Sequence, residues 1–249
     1  MNSHLEYVLR LGDNALILAQ RTAEWVSRAP IMEEDVALAN IALDLFGQAR
    51  MWLAYAGELE GAERDADRLA FHRDAGDFRN VLLVEQPNGD FGTTTVRGYF
   101  YDAFAHLQLG ALSGSADERI AAIAAKSLKE TAYHLQRSED WLVRLGDGTD
   151  LSHERVQRSV DALWRFTGEL FLGDDVDAAM AAQDIGVDPA SLRDQWNARV
   201  ESGLARATLT RPADGYMQRG GKHGRHSEAL SYLLAEMQVL PRSQPEAVW

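Results

Sequence analysis

Apolar residues recur at helical spacing along almost the whole chain, and nowhere do apolar and polar residues alternate for long enough to propose a strand. Five long segments carry the pattern and short connections join them, which predicts an all-α antiparallel helical bundle with additional short helices. The first spans residues 5–28, with Leu9, Leu16, Ala19, Ala23 and Val26 on one broad face, and Ala29-Pro30 stops it. Glu33, Glu34 and Asp35 open the second at the positive end of its dipole. Its apolar residues, among them Val36, Ile41, Leu43, Leu45, Phe46, Trp52 and Leu53, cover too wide an arc for a surface helix, so it is expected to be central and buried.

The third long helix runs from Thr93 toward Leu112, capped by Thr93 or Thr94, and the fourth from Asp117-Glu118 to near Leu145. The fifth covers residues 153–172 with Ser152 as its cap, after the turn Gly146-Asp147-Gly148-Thr149-Asp150. Short helices are expected within residues 58–74 and over residues 77–85, the latter stopped by Gln86-Pro87-Asn88-Gly89. Asp188-Pro189 opens another helix, and residues 227–240 form the last, ahead of a tail from Pro241 to Trp249. No linker divides the chain, so residues 1–249 are expected to form a single domain.

In a helical bundle of this size the chemistry to look for is a pair of irons, held by Glu-x-x-His on each of two helices. The chain has seven histidines, and only His153 has a carboxylate three residues before it, Asp150, in the turn ahead of the fifth helix. Asp102 with His106 and Glu130 with His134 are i, i+4 pairs on neighbouring helices. These four are the candidate metal ligands, and their competing reading is a set of structural polar pairs. Tyr133 fills the slot where a motif starting at Glu130 would place histidine, and is expected to be half-buried with its hydroxyl bonded. Asp44 and Gln48 share a face of the second helix, where a metal protein would need glutamate and histidine. Glu130 and His134 are expected to be partners in a buried polar network.

The chain has no cysteine, which excludes disulfides, thiolate metal sites and cysteine nucleophiles. Its net charge of −13 argues against nucleic acid and anionic membrane as partners. The first residues lack the basic and apolar stretches of a signal peptide, and no apolar run approaches the roughly 18 residues of a membrane span, so the cytoplasm is the expected location. No Gly-x-Ser-x-Gly, P-loop or dinucleotide fingerprint is present. Against the acidic background, residues 211–225 form a glycine-rich loop with a basic end, Gly220-Gly221-Lys222-His223-Gly224-Arg225. It is expected to be ordered by assembly, with Lys222 and Arg225 meeting carboxylates of another subunit. Most tryptophans fall within expected helices as core or interface residues, and Trp249 ends the chain.

Several segments together resemble a known family. They include Leu9-Arg10-Leu11-Gly12-Asp13-Asn14, Leu38-Ala39-Asn40-Ile41-Ala42-Leu43-Asp44-Leu45-Phe46-Gly47-Gln48-Ala49-Arg50 and Glu85-Gln86-Pro87-Asn88-Gly89-Asp90-Phe91. Lys129-Glu130 with Tyr133-His134-Leu135, residues 141–149, Leu163-Trp164-Arg165-Phe166-Thr167, Gly220-Gly221-Lys222-His223-Gly224 and Leu234-Ala235-Glu236-Met237-Gln238 follow in order. The whole resembles the C subunit of phenylacetyl-coenzyme A epoxidase, a ring 1,2-epoxidase that is a bacterial multicomponent monooxygenase. The resemblance implies a ferritin-like fold and a non-catalytic structural role beside a related catalytic subunit, which holds the di-iron site and binds the acyl-coenzyme A. It implies that these two form a heterodimer that assembles further, that complexes are bridged by a small further subunit, and that a reductase supplies electrons from NADPH. It transfers no catalytic, cofactor-binding or metal-ligating residue, because no motif here matches one. The rival function is a self-sufficient metal-dependent oxidoreductase using Asp102, His106, Glu130 and His134. A ligand-binding helical protein is a third, and would need a bundle cavity lined by convergent polar groups.

Overall fold

The computed structural model describes residues 2–244, which contain ten α-helices and no strand. The helices are α1 (Ser3–Ala23), α2 (Met32–Glu60), α3 (Ala66–Phe71), α4 (Leu82–Glu85), α5 (Phe91–Leu112), α6 (Glu118–Gly146), α7 (Asp150–Trp164), α8 (Asp175–Ala181), α9 (Arg193–Arg206) and α10 (Glu228–Ser243). The fold is all-α and ferritin-like. The helices group into two compact units, Met1–Pro87 with Arg219–Trp249, and Asn88–Gln218. Trp249 lies outside the described residues.

In the first unit α1 and α2 pack as an antiparallel hairpin, with His4 against Tyr55 and Gly12 against Leu53. A methyl group on Gly12 would sit 2.8 Å from the Leu53 side chain, so the two backbones approach as closely as they do only because position 12 has none. The expected burial of these two helices is reversed. α1 is buried almost all round from Glu6 to Ala19, whereas α2 leaves Met32, Val36 and Leu43 exposed at 76%, 56% and 66%. The reason is that the polar residues of α1 find partners inside the unit. Arg79 pairs with Glu6 at 2.8 Å, Arg73 with Asp13, and the Val81 N–H donates to Asn14 at 2.8 Å. A polar face whose carboxylates and amide are bonded in this way can be buried without most of the cost of desolvating them unpaired.

In the second unit α5 and α6 form the longer hairpin, covered by α7 and α9. Asp90 caps α5 by accepting the Thr93 N–H at 2.9 Å, so that helix starts before the expected threonines. Asp117 caps α6 by accepting the N–H groups of Arg119 and Ile120. Thr149, not Ser152, caps α7, the two side chains forming a reciprocal capping box. Asp150 and His153 therefore lie inside the first turn of a helix rather than in the preceding turn. α7 also stops at Trp164, short of the expected residue 172, before a single 3-10 turn over Gly168–Phe171. The aromatic core of the unit joins Phe100, Trp164, Trp196 and Phe171 through ring contacts of 5.2 to 5.9 Å.

Two further boundaries differ from expectation. The segment expected to be helical over residues 77–85 is helical only at Leu82–Glu85, because residues 78–81 run extended to bring backbone donors to Asp13 and Asn14. α10 continues through Pro241 to Ser243 instead of ending before it.

Candidate functional site

The inward face of α6 is a polar stripe. Ser127, Thr131, His134 and Ser138 are spaced four, three and four apart, which keeps them on one helix face, and all four are at most 4% exposed. Across from them Asp102 of α5 is buried and accepts the Ser138 hydroxyl at 2.8 Å, a hydroxyl that also reaches the Leu135 carbonyl at 3.2 Å. Gly98, one turn before Asp102, borders the pair: a Cβ there would lie in ordinary contact, 3.8 Å from the Asp102 carboxylate and 3.9 Å from Ser138.

Burial pushes the Asp102 carboxyl up to about 6, against the opposing pull of His134, the Ser138 hydrogen bond and Arg137. The cost of burying the charge outweighs all three of these pulls. Burial also raises the neighbouring Tyr101 hydroxyl well above its ordinary range, with the Asp102 charge adding to it.

The structure brings only part of the expected ligand set together. Asp102 of α5 and His134 of α6 are both buried, and His134 favours the charged form of the Asp102 carboxyl. His106 lies half-buried, and burial together with Arg199 holds its imidazole below the usual range. Glu130 sits at the rim of α6, 3.7 Å from Lys126. Tyr133 is 52% exposed, because it follows the outer face of α6 while His134 takes the inner one; the half-buried aromatic expected there is not found. In α2, Gln48 is buried and Asp44 half-buried. His153 Nδ1 donates to the Gly146 carbonyl at 2.7 Å, so the Asp150-x-x-His153 spacing serves a helix junction.

The inward register of α6 therefore reads Thr131-x-x-His134, with a hydroxyl where a di-iron protein would place a carboxylate. Among the described residues no group of three or more His, Asp or Glu side chains converges as metal ligands would. One carboxyl, one imidazole and three hydroxyls are hard to reconcile with two irons, which require carboxylates from both helix pairs. The side chains found here do not fit a di-iron centre.

The basic glycine segment belongs to the first unit. Gly221 packs on the backbone of Asn80, whose carbonyl a Cβ would meet at 2.2 Å, and Gly224, at φ +71°, packs the same way on Gly76. The close approach these glycines permit is made to the chain's own backbone. Lys222 lies half-buried and Arg225 exposed on this segment. The spacing of residues 127, 131, 134 and 138 could have revealed the stripe in α6. Glu85 and His226, whose bond closes this segment onto the first unit, are 141 residues apart and have no spacing to read.

These features define a helical protein built on the ferritin-like plan, with a buried polar seam between α5 and α6. The chain belongs to the phenylacetic acid catabolic protein family, which it matches over residues 1–249. It is similar to the C subunit of the 1,2-phenylacetyl-CoA epoxidase of Escherichia coli (strain K12), 51% identical over 249 residues and covering 100% of both chains. Among the described residues no helix is long and apolar enough to cross a membrane.

Proposed function

We propose that this chain is the structural subunit of a phenylacetyl-coenzyme A epoxidase in aerobic phenylacetate catabolism, holding a related di-iron catalytic subunit in its active form. The observation that carries the reading is identity of 51% to the C subunit of such an epoxidase along the entire length of both proteins. The donor set between α5 and α6 supports it, since a side chain such as Thr131 is a poor iron ligand. The stripe of Met32, Val36 and Leu43 on α2 supports it too, being the kind of apolar surface that permanent partners bury. In this reading the catalytic subunit holds the iron, takes up the acyl-coenzyme A and sets substrate choice. Complexes are bridged by a small further subunit, and a reductase feeds electrons from NADPH.

The test is to purify the chain alone and together with the catalytic subunit, then measure iron per chain and epoxide formation with the reductase present. The expected result is co-purification as a stable complex, with iron and turnover requiring the catalytic subunit. Two irons in the isolated chain, with di-iron spectroscopic features, would overturn the reading.

A further inference from the structure

Glu85 is fully buried at the end of α4, and both oxygens of its carboxylate are hydrogen-bonded. The Ser227 N–H meets Oε1 at 2.6 Å, while the Asn80 amide and His226 Nδ1 meet Oε2 at 2.9 and 2.7 Å. Two of the three partners can only donate, and the third, Nδ1 of His226, is by its ordinary value a stronger base than a carboxylate, so the shared proton sits on Nδ1 as an N–H. On the far side of the ring, Nε2 lies 3.0 Å from the Phe78 carbonyl, which can only accept. Both ring nitrogens therefore carry hydrogens. A neutral imidazole has only one N–H and would leave one of these two acceptors without its donor.

We propose that His226 is an imidazolium clasp, holding residues 219–227 against the first unit as a strap, and that the strap opens when the clasp loses its proton. The clasp does not depend on the epoxidase reading.

The surroundings favour the charged ring. Burial works against it, but Glu85, the Phe78 carbonyl and the more distant Asp13 carboxylate of α1 outweigh that cost, so His226 holds its proton above the usual histidine range. The other charges packed nearby are already engaged. Arg21 of α1 donates to the Glu85 carbonyl at 3.0 and 2.9 Å and to the Ala229 carbonyl at 3.0 Å. Arg73 pairs with Asp13, Arg79 with Glu6, and Glu228 of α10 accepts the Tyr232 hydroxyl. His226 is thus the group in this cluster whose ordinary titration lies nearest neutrality. Its loss removes the charged tie of the strap to Glu85 and Phe78, while contacts such as the glycine packing at Gly221 and Gly224 and the Ser227 amide bond do not titrate in this range.

The experiment uses the full chain, labelled with nitrogen-15. Imidazole spectra at pH 7.5 should show both His226 nitrogens protonated. Amide hydrogen exchange of residues 219–227, corrected for intrinsic rates, should lose protection by up to about tenfold per pH unit between the ordinary histidine value and the raised His226 midpoint, and level off above it, while the α1 and α2 amides keep theirs. His226→Gln should leave the strap unprotected at every pH. Glu85→Gln should lower the titration midpoint of His226, and answers the question if His226→Gln does not fold. A neutral His226 at pH 7.5, or strap protection that stays flat through the His226 titration, overturns the proposal.

Discussion

Asp13 and Arg73 form a two-point ion pair inside the first unit, with side chains 0% and 4% exposed. One guanidinium nitrogen donates to Oδ2 at 3.0 Å and the other to Oδ1, while the Arg79 backbone N–H adds a third donor at 2.8 Å. The pair joins α1 to the extended segment after α3. Removing one member leaves the other charge buried without its partner, so Asp13→Ala should cost about 3–5 kcal/mol. Replacing both, with Asp13→Leu and Arg73→Met, should recover most of that loss. Urea denaturation followed by circular dichroism measures both. A single-variant cost below about 1 kcal/mol would show that water reaches the pair.

Asp102 makes stability fall with rising pH in a range where carboxylates usually have the opposite effect. Its folded carboxyl titrates at about 6, above the ordinary 3.8, because burial disfavours the charge. Between those values the folded state binds more protons than the unfolded one, so stability is greatest below pH 3.8 and declines as pH passes 6. The shift corresponds to roughly 3 kcal/mol. Asp102→Asn removes the titration, and should remove this decline and stabilise the protein at pH 7.5 by about 1–3 kcal/mol. Denaturation midpoints between pH 4 and 7.5 check it; parallel profiles for variant and parent would refute it.

Gly203 of α9 lies against Tyr99 of α5, whose hydroxyl donates to the Arg199 carbonyl at 3.0 Å. A Cβ at position 203 would stand 2.1 Å from that hydroxyl oxygen. Gly203→Ala must therefore displace the ring or α9, at an expected cost of about 1–3 kcal/mol. Tyr99→Phe removes the nearest clashing atom and leaves the ring carbon Cζ at 2.8 Å. The same glycine substitution should cost less in that background, which a double-mutant cycle reads directly.

The helices were legible where local chemistry sets them. Asp117 and the turn after Gly146 bracket α6, and Asp188-Pro189 opens the segment leading into α9, because caps and turns act within a few residues. The burial of α1 was not legible. Its Arg10, Asp13 and Asn14 look like a solvated face, and the groups that satisfy Asp13 and Asn14 come from residues 73–81. α2 misled in the other direction, because an apolar arc gives no sign of whether this chain or a partner covers it. At the candidate site, Asp102 and His134 are legible from spacing, but Ser138 and Thr131 are ordinary hydroxyls in the sequence, and only the packing of α5 opposite gives Ser138 a carboxylate to bond.

The exposed stripe on α2 and the strap make different predictions about how the complex is held. Leu43 is mid-helix and 66% exposed, so Leu43→Glu should leave the isolated chain within about 0.5 kcal/mol of its parent stability. At the centre of an apolar interface the same change buries an unpaired charge, and should weaken, by at least about a hundredfold, complex formation with the catalytic subunit. Lys222→Glu with Arg225→Glu places repulsion on the strap. Its effect should be smaller, concentrated in the association rate and reduced by salt, as for charges at an interface rim. Size-exclusion chromatography and association kinetics of the mixed proteins, with circular dichroism of each variant alone, separate the two surfaces. Loss of the complex in the charge-reversed variant but not in Leu43→Glu would move the principal contact to the strap, and the apolar stripe on α2 would then be a surface that assembly leaves exposed.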